Sequence, residues 1–335
     1  MRKNIIISMS CLLLIFAFIF INKREQSINE TKKLEKVKVA EVTHSIFYAP
    51  FYVALENGYF KDEGLDVEVI LTSGADKVSA AVLSKTVDIG FAGPESAIYV
   101  YKNGEKDYLI TFAGLTKRDG QFIVSRKKID NFKMEDLYNK EILVGRAGGM
   151  PSLNFLNGLK NENADKNKIK INTSVDFASL SGTFISGVGD FVNLFEPNAT
   201  KLEKEGLGYV VGSVGKLSGE MPYTAFYARK SYFNDNTDKI KKFNAAINKG
   251  LDYVKNHSDI EIAKSILPQF PDNSLNDVEL IVKRYREADS WLDNTTITEK
   301  SYKNLENIMI NNNLLDDFVS FNDLVKDLNE TTSQG

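Results

Sequence analysis

The sequence predicts an α/β fold of two lobes, and three observations carry that reading. The chain has 335 residues, more than one small core usually holds. Short apolar strands alternate with amphipathic helices from Val37 to Leu115, the pattern of a parallel, doubly wound sheet. A similar alternation starts again near Glu135, after a break around Gln121–Ser125.

The elements follow in order. VKVAEV (Val37–Val42) is nearly all apolar, as a buried parallel strand is. Pro50 suits the first turn of a helix that ends near Asn57-Gly58. LDVEVIL (Leu65–Leu71) alternates as a second strand, and Val78, Ala81 and Val82 share one face of the helix after it. VDIGFAG is a third strand, Pro94 opens a helix to about Lys102, and YLITFAGL is a fourth strand. In the second series EDLYNK reads as a short helix, EILVG as a strand and RAGGMPSLNFLNGLK as a glycine-rich turn entering a helix. IKINTSVDFASL, GDFVNLFEP and GLGYVVGSV supply further strands and connections, and YTAFYARKSYF (Tyr223–Phe233) leads back to the first lobe. From about Asp238 the pattern is helical. Ser274 is an N-cap ahead of Leu275, Val278, Ile281, Val282 and Tyr285 at helical spacing.

The N-terminus is of another kind. Arg2 and Lys3 precede an apolar run, Ile5–Ile21, which Asn22, Lys23 and Arg24 follow. This is a membrane-directing segment, near the lower limit of about 17 residues for a spanning helix. No A-x-A-like cleavage site follows, which favours a retained signal anchor over a cleaved signal peptide. Lipidation at Cys11 is the alternative, although that cysteine lies inside the apolar run rather than after it. Residues 22–36 are charged, lack apolar periodicity and read as a tether.

Composition excludes several classes. The net charge of −3 gives no basic field for nucleic acid. Cys11 is the one cysteine, and His44 and His257 are the two histidines. Intrachain disulfides are thereby excluded, and neither a zinc site nor a Cys/His nucleophilic pair is easily built. No cofactor is expected, and no G-x-x-x-x-G-K-[ST], G-x-S-x-G or H-E-x-x-H occurs. GLGYVVG (Gly206–Gly212) has glycines in the wrong helix-to-strand order for a dinucleotide fingerprint.

The aromatic loop at Phe47, GYFKDEGLDVEV, SGADKVSAAVLSKTVDIGFAGPESAIY and GDFVNLFEP together resemble the substrate-binding proteins of nitrate/sulfonate/taurine-type and thiamine-pyrimidine-type ABC transporters. The resemblance spans roughly Val37–Leu315 and does not specify the ligand. It implies a two-lobed type II periplasmic-binding-protein fold with a hinge and an interlobe cleft that closes on the ligand. The expected division is a membrane segment at 1–21, a tether at 22–36, a first lobe of 37–121 with 228–325, a second lobe of 122–227 and a tail of 326–335. It also implies an ABC permease and its ATPase as partners, no nucleic acid, a monomeric chain, and a place on the extracytoplasmic face of the membrane. A fungal-type pyrimidine synthase shares the fold family but relies on a cysteine-rich segment and a cofactor lysine. This chain lacks cysteine beyond Cys11, so a binder rather than an enzyme is expected.

Ligands of open α/β sheets sit beyond the carboxyl ends of the strands. That rule selects His44, Ser45 and Tyr48 after strand one, Ser73 after strand two, Gly93, Glu95 and Ser96 after strand three, and Thr116 after strand four. The second lobe offers Arg146, Gly148, Gly149 and Ser152 at a helix start, and Asp190 with Phe191. Each candidate has a plainer structural explanation. Phe47 and Tyr48 point to opposite sides of an extended loop, and Tyr48, with a hydroxyl to meet a polar ligand, is expected to face the cleft. Glu95 either favours its helix N-terminus or accepts from a ligand amino group. Arg146 either forks onto an oxyanion or pairs with an acid. Asp190 either fixes its loop or contacts ligand, and Phe191 is a candidate second aromatic wall. Aromatics and carboxylates favour a flat, amine-bearing heterocycle such as a thiamine-type pyrimidine. Arg146 and the helix N-termini favour an alkyl sulfonate, taurine or another small oxyanion, and the balance leans to the heterocycle.

Overall fold

The structure, a computed structural model, describes residues 34–72 and 74–329. The apolar run Ile5–Ile21 and Cys11 lie outside the described residues, and so does Ser73. No helix among the described residues is long and apolar enough to cross a membrane.

Two five-stranded sheets organise the chain, in the orders β2-β1-β3-β10-β4 and β7-β6-β8-β5-β9. The first holds β1 (Glu35–Glu41), β2 (Leu65–Leu71), β3 (Ile89–Ala92), β4 (Leu109–Thr116) and β10 (Thr224–Arg229). Helices α1 (Ala49–Glu56), α2 (Tyr59–Asp62), α3 (Ala75–Leu83) and α4 (Glu95–Lys102) connect its early strands. The second sheet holds β5 (Phe122–Ser125), β6 (Glu141–Leu143), β7 (Lys170–Asn172), β8 (Phe191–Leu194) and β9 (Tyr209–Ser213). Its helices are α5 (Met150–Asn161), α6 (Leu180–Ile185), α7 (Asn198–Lys204) and α8 (Val214–Ser218). After β10 come α9 (Lys230–Asp235), α10 (Thr237–Asn256), α11 (Asp259–Ile266), α12 (Leu275–Glu287), α13 (Glu299–Asn311) and α14 (Phe321–Leu324).

Neither sheet is purely parallel, which corrects the expectation of a parallel first lobe. β1 and β3 run parallel, with Val39 beside Ile89, but β10 is antiparallel to both β3 and β4. The reason is topological: β10 re-enters the sheet from the far lobe, so its direction is opposite to strands fed by local helices. The same holds for β5, which leaves the first lobe and inserts antiparallel between β8 and β9. FIVS, read from sequence as part of a crossing, is therefore an inner strand with all four residues buried.

The segments that join the sheets lie side by side. Residues 117–121 link β4 to β5, and 219–223 link α8 to β10. Met221 N–H donates to Lys117 O at 3.0 Å, Tyr223 N–H to Thr116 O at 3.0 Å, and Val214 N–H to Gln121 O at 2.9 Å. A third segment joins them: Lys117 N–H donates to Ser290 O and Leu292 N–H to Leu115 O. The core continues from one lobe to the other, because Phe47, Phe122, Leu194, Phe195 and Tyr285 belong to one contiguous buried cluster.

Candidate functional site

The carboxyl ends of β1, β3, β4 and β8 face the seam between the lobes, and buried aromatic rings fill it. Ser45 caps the turn Ile46–Tyr48, its Oγ accepting from Phe47 N–H at 3.2 Å, and so directs both aromatics inward. Phe47 and Tyr48 are both buried. Tyr48 lies edge-on to Phe91 at 4.4 Å and shares a hydrogen bond with the hydroxyl of Thr224. Phe47 meets Tyr48 at 5.4 Å, Tyr223 at 5.9 Å and, from the second lobe, Phe195 at 5.6 Å. Contacts of this kind contribute about 0.5–1.5 kcal/mol each beyond their buried area.

Two carboxyl groups sit among these rings. Glu95 opens α4, folds back over Gly93 and is held by its own backbone amide; a Cβ on Gly93 would lie 2.0 Å from Glu95 Oε2. Asp119 belongs to the first crossing, where its Oδ1 accepts from Gln121 N–H at 2.7 Å and its carboxyl meets the Tyr223 hydroxyl. Glu95 Oε2 and Asp119 Oδ2 are buried and have no hydrogen-bond partner of good geometry among the described residues. Neither group has an ion-pair partner among the described residues. Burial pushes Glu95 up to about 7 and Asp119 up to about 8, because a dry environment disfavours the charged form. Tyr48 and Tyr223 are raised in turn, first by burial and then by surrounding acids that include both carboxylates. Tyr302 on α13 is also raised, by burial and then by Glu306 and Glu95, and its buried hydroxyl has no partner. Tyr48, Glu95, Asp119, Tyr223 and Tyr302 thus form one electrostatic group that is acidic throughout.

The remaining candidates are distributed unevenly. Ser96 bonds the Tyr227 hydroxyl, which also meets Ser79 Oγ at 3.2 Å. Thr116 Oγ1 accepts from Thr224 N–H at 3.0 Å, so it ties the crossings together. His44 is engaged at both nitrogens, by Glu41 Oε1 at 2.8 Å and Gln269 O at 2.9 Å, and the Glu41 carboxylate raises its pKa. Arg146 lies out on the second lobe, 68% exposed, with Nε 3.2 Å from the equally open Asp176. Gly148 adopts φ +78°, a left-handed turn that turns the exposed Arg146–Gly148 loop ahead of α5. Ser152 donates to Arg146 O and Gly149 O at 2.9 Å, closing that loop.

Asp190 and Phe191 occupy the amino end of β8, opposite to the end that faces the seam. Asp190 Oδ2 accepts from Glu141 N–H at 3.0 Å, and Phe191 packs in the separate core of the second lobe. The other end of the same strand carries Asn193, whose buried side-chain amide has no partner, and then Phe195 and Glu196. Asn193, Phe195, Asp119, Tyr223 and Tyr302 were not singled out from sequence. For Phe195 the signal was present, since the carboxyl-end rule applied to FVNLFEP points past the strand rather than before it. Asp119 and Tyr223 follow from the crossings, which no local pattern marks.

Two cavities open at the rim of the seam. One of about 420 Å³ lies between β9 and α12, lined by Phe122, Gly212, Lys216, Arg284 and Glu287. Another of about 310 Å³ lies between α5 and α13, lined by Asn157, Asn161, Ser218, Glu220 and Asn304. Neither is lined by Glu95 or Asp119, which are buried.

Comparison with known proteins fits this architecture. The chain is 42% identical over 297 residues to "Putative binding protein YtlA" of Bacillus subtilis (strain 168), covering 88% of this chain and 89% of that one. The alkanesulfonate-binding protein SsuA from Xanthomonas axonopodis pv. citri, solved with MOPS bound, superposes with a TM-score of 0.68 at 14% identity, covering 87% of this chain and 98% of that one. The Candida albicans CA3427 gene product, solved with the generic periplasmic binding protein fold, gives a TM-score of 0.64 at 17% identity, over 88% of this chain and 96% of that one. At those identities the likeness is one of fold, a two-sheet α/β periplasmic-binding-protein fold. A family model described as NMT1/THI5 like matches residues 46–260, and with that match the chain belongs to the NMT1/THI5-like family.

Proposed function

We propose that this protein is the solute-binding component of an ABC importer, which closes its two lobes on a flat, amine-bearing heterocycle such as a thiamine-type pyrimidine. The observation that carries the ligand class is the seam itself, where buried aromatic rings from both lobes surround acidic groups. Aromatic faces suit a planar ring, and carboxyl oxygens suit its amino substituents. Family membership and the relative's description as a binding protein support the role. Chemistry on a bound substrate is not part of this reading, since Cys11 is the sole cysteine and lies in the apolar N-terminal run.

Residues 117–121 and 219–223 act as the hinge of a type II binding protein, and a ligand that touches both lobes shifts an open–closed equilibrium toward the closed form. Because β10 belongs to the first sheet, the second boundary falls at 223 rather than 227, and the lobes then correspond to 37–121 with 224–325 and to 122–223. The apolar run Ile5–Ile21 tethers the monomeric chain to the extracytoplasmic face, where tethering raises its effective concentration at the permease. A sulfonate would meet no cationic side chain at Glu95 or Asp119 among the described residues, while Arg146, the residue expected to receive it, is exposed and paired with Asp176.

A thermal-shift screen of aminopyrimidines, alkyl sulfonates, taurine and nitrate tests the reading, since binding to the native state raises Tm. Aminopyrimidines are expected to give the large shift. A shift with sulfonates alone would replace the ligand class, and silence from every compound would reject the solute-binding role.

A further inference from the structure

We propose that the ligand is held as a cation, with the carboxylates of Glu95 and Asp119 as its two counter-ions inside the seam. The inference rests on the solute-binding reading above and adds the charge state of the solute. Each group is more than nine-tenths buried, and Glu95 Oε2 and Asp119 Oδ2 accept no hydrogen bond of good geometry among the described residues. Leaving a buried acceptor without a partner costs folding free energy, more so when the group is charged. The groups that face Glu95 and Asp119 are Tyr48, Tyr99, Tyr223, Tyr227 and Tyr302, with Glu41 acting on Tyr48 and Glu306 on Tyr302; among the described residues no lysine, arginine or histidine acts on either carboxyl. The nearby cations are engaged elsewhere: Lys117 and Arg118 with Asp289, and Arg284 with Glu196.

Asp190, by contrast, is only half-buried and accepts from Glu141 N–H through Oδ2. Without ligand, burial raises both groups toward or above neutrality, so both keep a substantial protonated fraction there. A cationic ligand reverses this, since an adjacent positive charge favours the carboxylate. Each acid then gives up its proton to solvent as the cation enters. Binding is therefore linked to proton release, and the affinity rises with pH until the ligand's own amine loses its charge.

The test uses the full-length chain and three pyrimidines that share the 4-amino-2-methylpyrimidine ring and differ at position 5: aminomethyl (cationic), hydroxymethyl (neutral) and carboxyl (anionic). Calorimetric titration at pH 8 is expected to show the cation binding at least tenfold tighter than the neutral analogue, with the anion weakest. Its apparent enthalpy should differ between phosphate and Tris, because released protons are taken up by the buffer. Glu95→Gln and Asp119→Asn should each shrink the cation-to-neutral ratio. If either variant fails to fold, the buffer dependence of the natural protein decides alone.

Equal affinity for cation and neutral analogue with no buffer dependence would overturn the counter-ion assignment and leave the heterocycle reading standing. Preference for the anion would overturn it too. Failure of all three, with taurine or nitrate binding instead, would bring down both.

Discussion

Ser45 Oγ donates to the backbone carbonyl of Glu196 at 2.8 Å, which joins the loop after β1 in the first lobe to the end of β8 in the second. The same hydroxyl caps the aromatic turn, so one side chain positions Phe47 and Tyr48 and also holds the lobes together. Ser45→Ala removes a bond that spans the two lobes. Such a bond is worth about 1 kcal/mol, which corresponds to roughly fivefold weaker ligand binding. Calorimetry measures the loss, and small-angle scattering of the free protein should show a larger radius of gyration. Unchanged affinity and radius would show that this contact does not govern closure.

Glu196 and Arg284 make a second link. Arg284 on α12 donates to Glu196 Oε1 at 2.8 Å and to Thr200 Oγ1 at 2.8 Å, and it also pairs with Glu203. The Glu196 side chain is fully buried. Arg284→Gln leaves that charge uncompensated and should cost about 3–5 kcal/mol in chemical denaturation.

Arg146→Gln breaks only the exposed pair with Asp176 and should cost under about 1 kcal/mol. It should also leave the affinity for a cationic or neutral ligand unchanged. A large loss of such binding would return Arg146 to the site.

The pH dependence of stability follows from Glu95 and Asp119. Their folded values, about 7 and about 8, lie above the ordinary carboxyl values of 4.5 and 3.8, so the native state binds these protons more tightly than the unfolded chain. Stability from these groups is fully present below about pH 4 and is lost as pH rises through 7 to 8. The ligand-free protein should therefore lose stability across that window, with a slope flattened by Glu95→Gln combined with Asp119→Asn. A Tm series from pH 4 to 9 measures it, and an identical slope in the double variant would contradict the assignment.

Tyr48 separates ligand contact from packing. Tyr48→Phe retains the ring against Phe91 and removes the hydrogen bond to Thr224. Tyr48→Ala deletes a buried ring and should cost about 3–5 kcal/mol of stability, comparable to other large-to-small aromatic truncations. With a ring-stacked ligand, Tyr48→Phe should bind within a few-fold of the natural protein, and Tyr48→Ala should weaken binding by about 1–3 kcal/mol. Equal affinity in all three proteins would remove Tyr48 from the site.

Much of the fold was legible because the first four strands and their helices are local: Leu65–Leu71 alternates, Pro50 and Pro94 mark helix starts, and Ser274 caps its helix as expected. What escaped was non-local. FIVS pairs with β8 and β9, segments nearly seventy residues or more away, and β10 returns antiparallel for the same reason. The site divides likewise. Glu95, Ser96 and Tyr48 follow strands whose ends were correctly located, whereas Asp119 and Tyr223 come together only where two crossings meet. For β8 the strand was legible, and Asp190 and Phe191 lie at its amino end while Asn193 and Phe195 lie toward the other.

The most direct single measurement is a crystal structure of the full-length chain grown with 4-amino-5-aminomethyl-2-methylpyrimidine. The account predicts the ring between the aromatic side chains of Tyr48 and Phe195, with its nitrogens within 3.2 Å of Glu95 Oε2 and Asp119 Oδ2, in keeping with ordinary N–H···O geometry. An empty seam, or density for the compound only at the surface near Arg146, would contradict it.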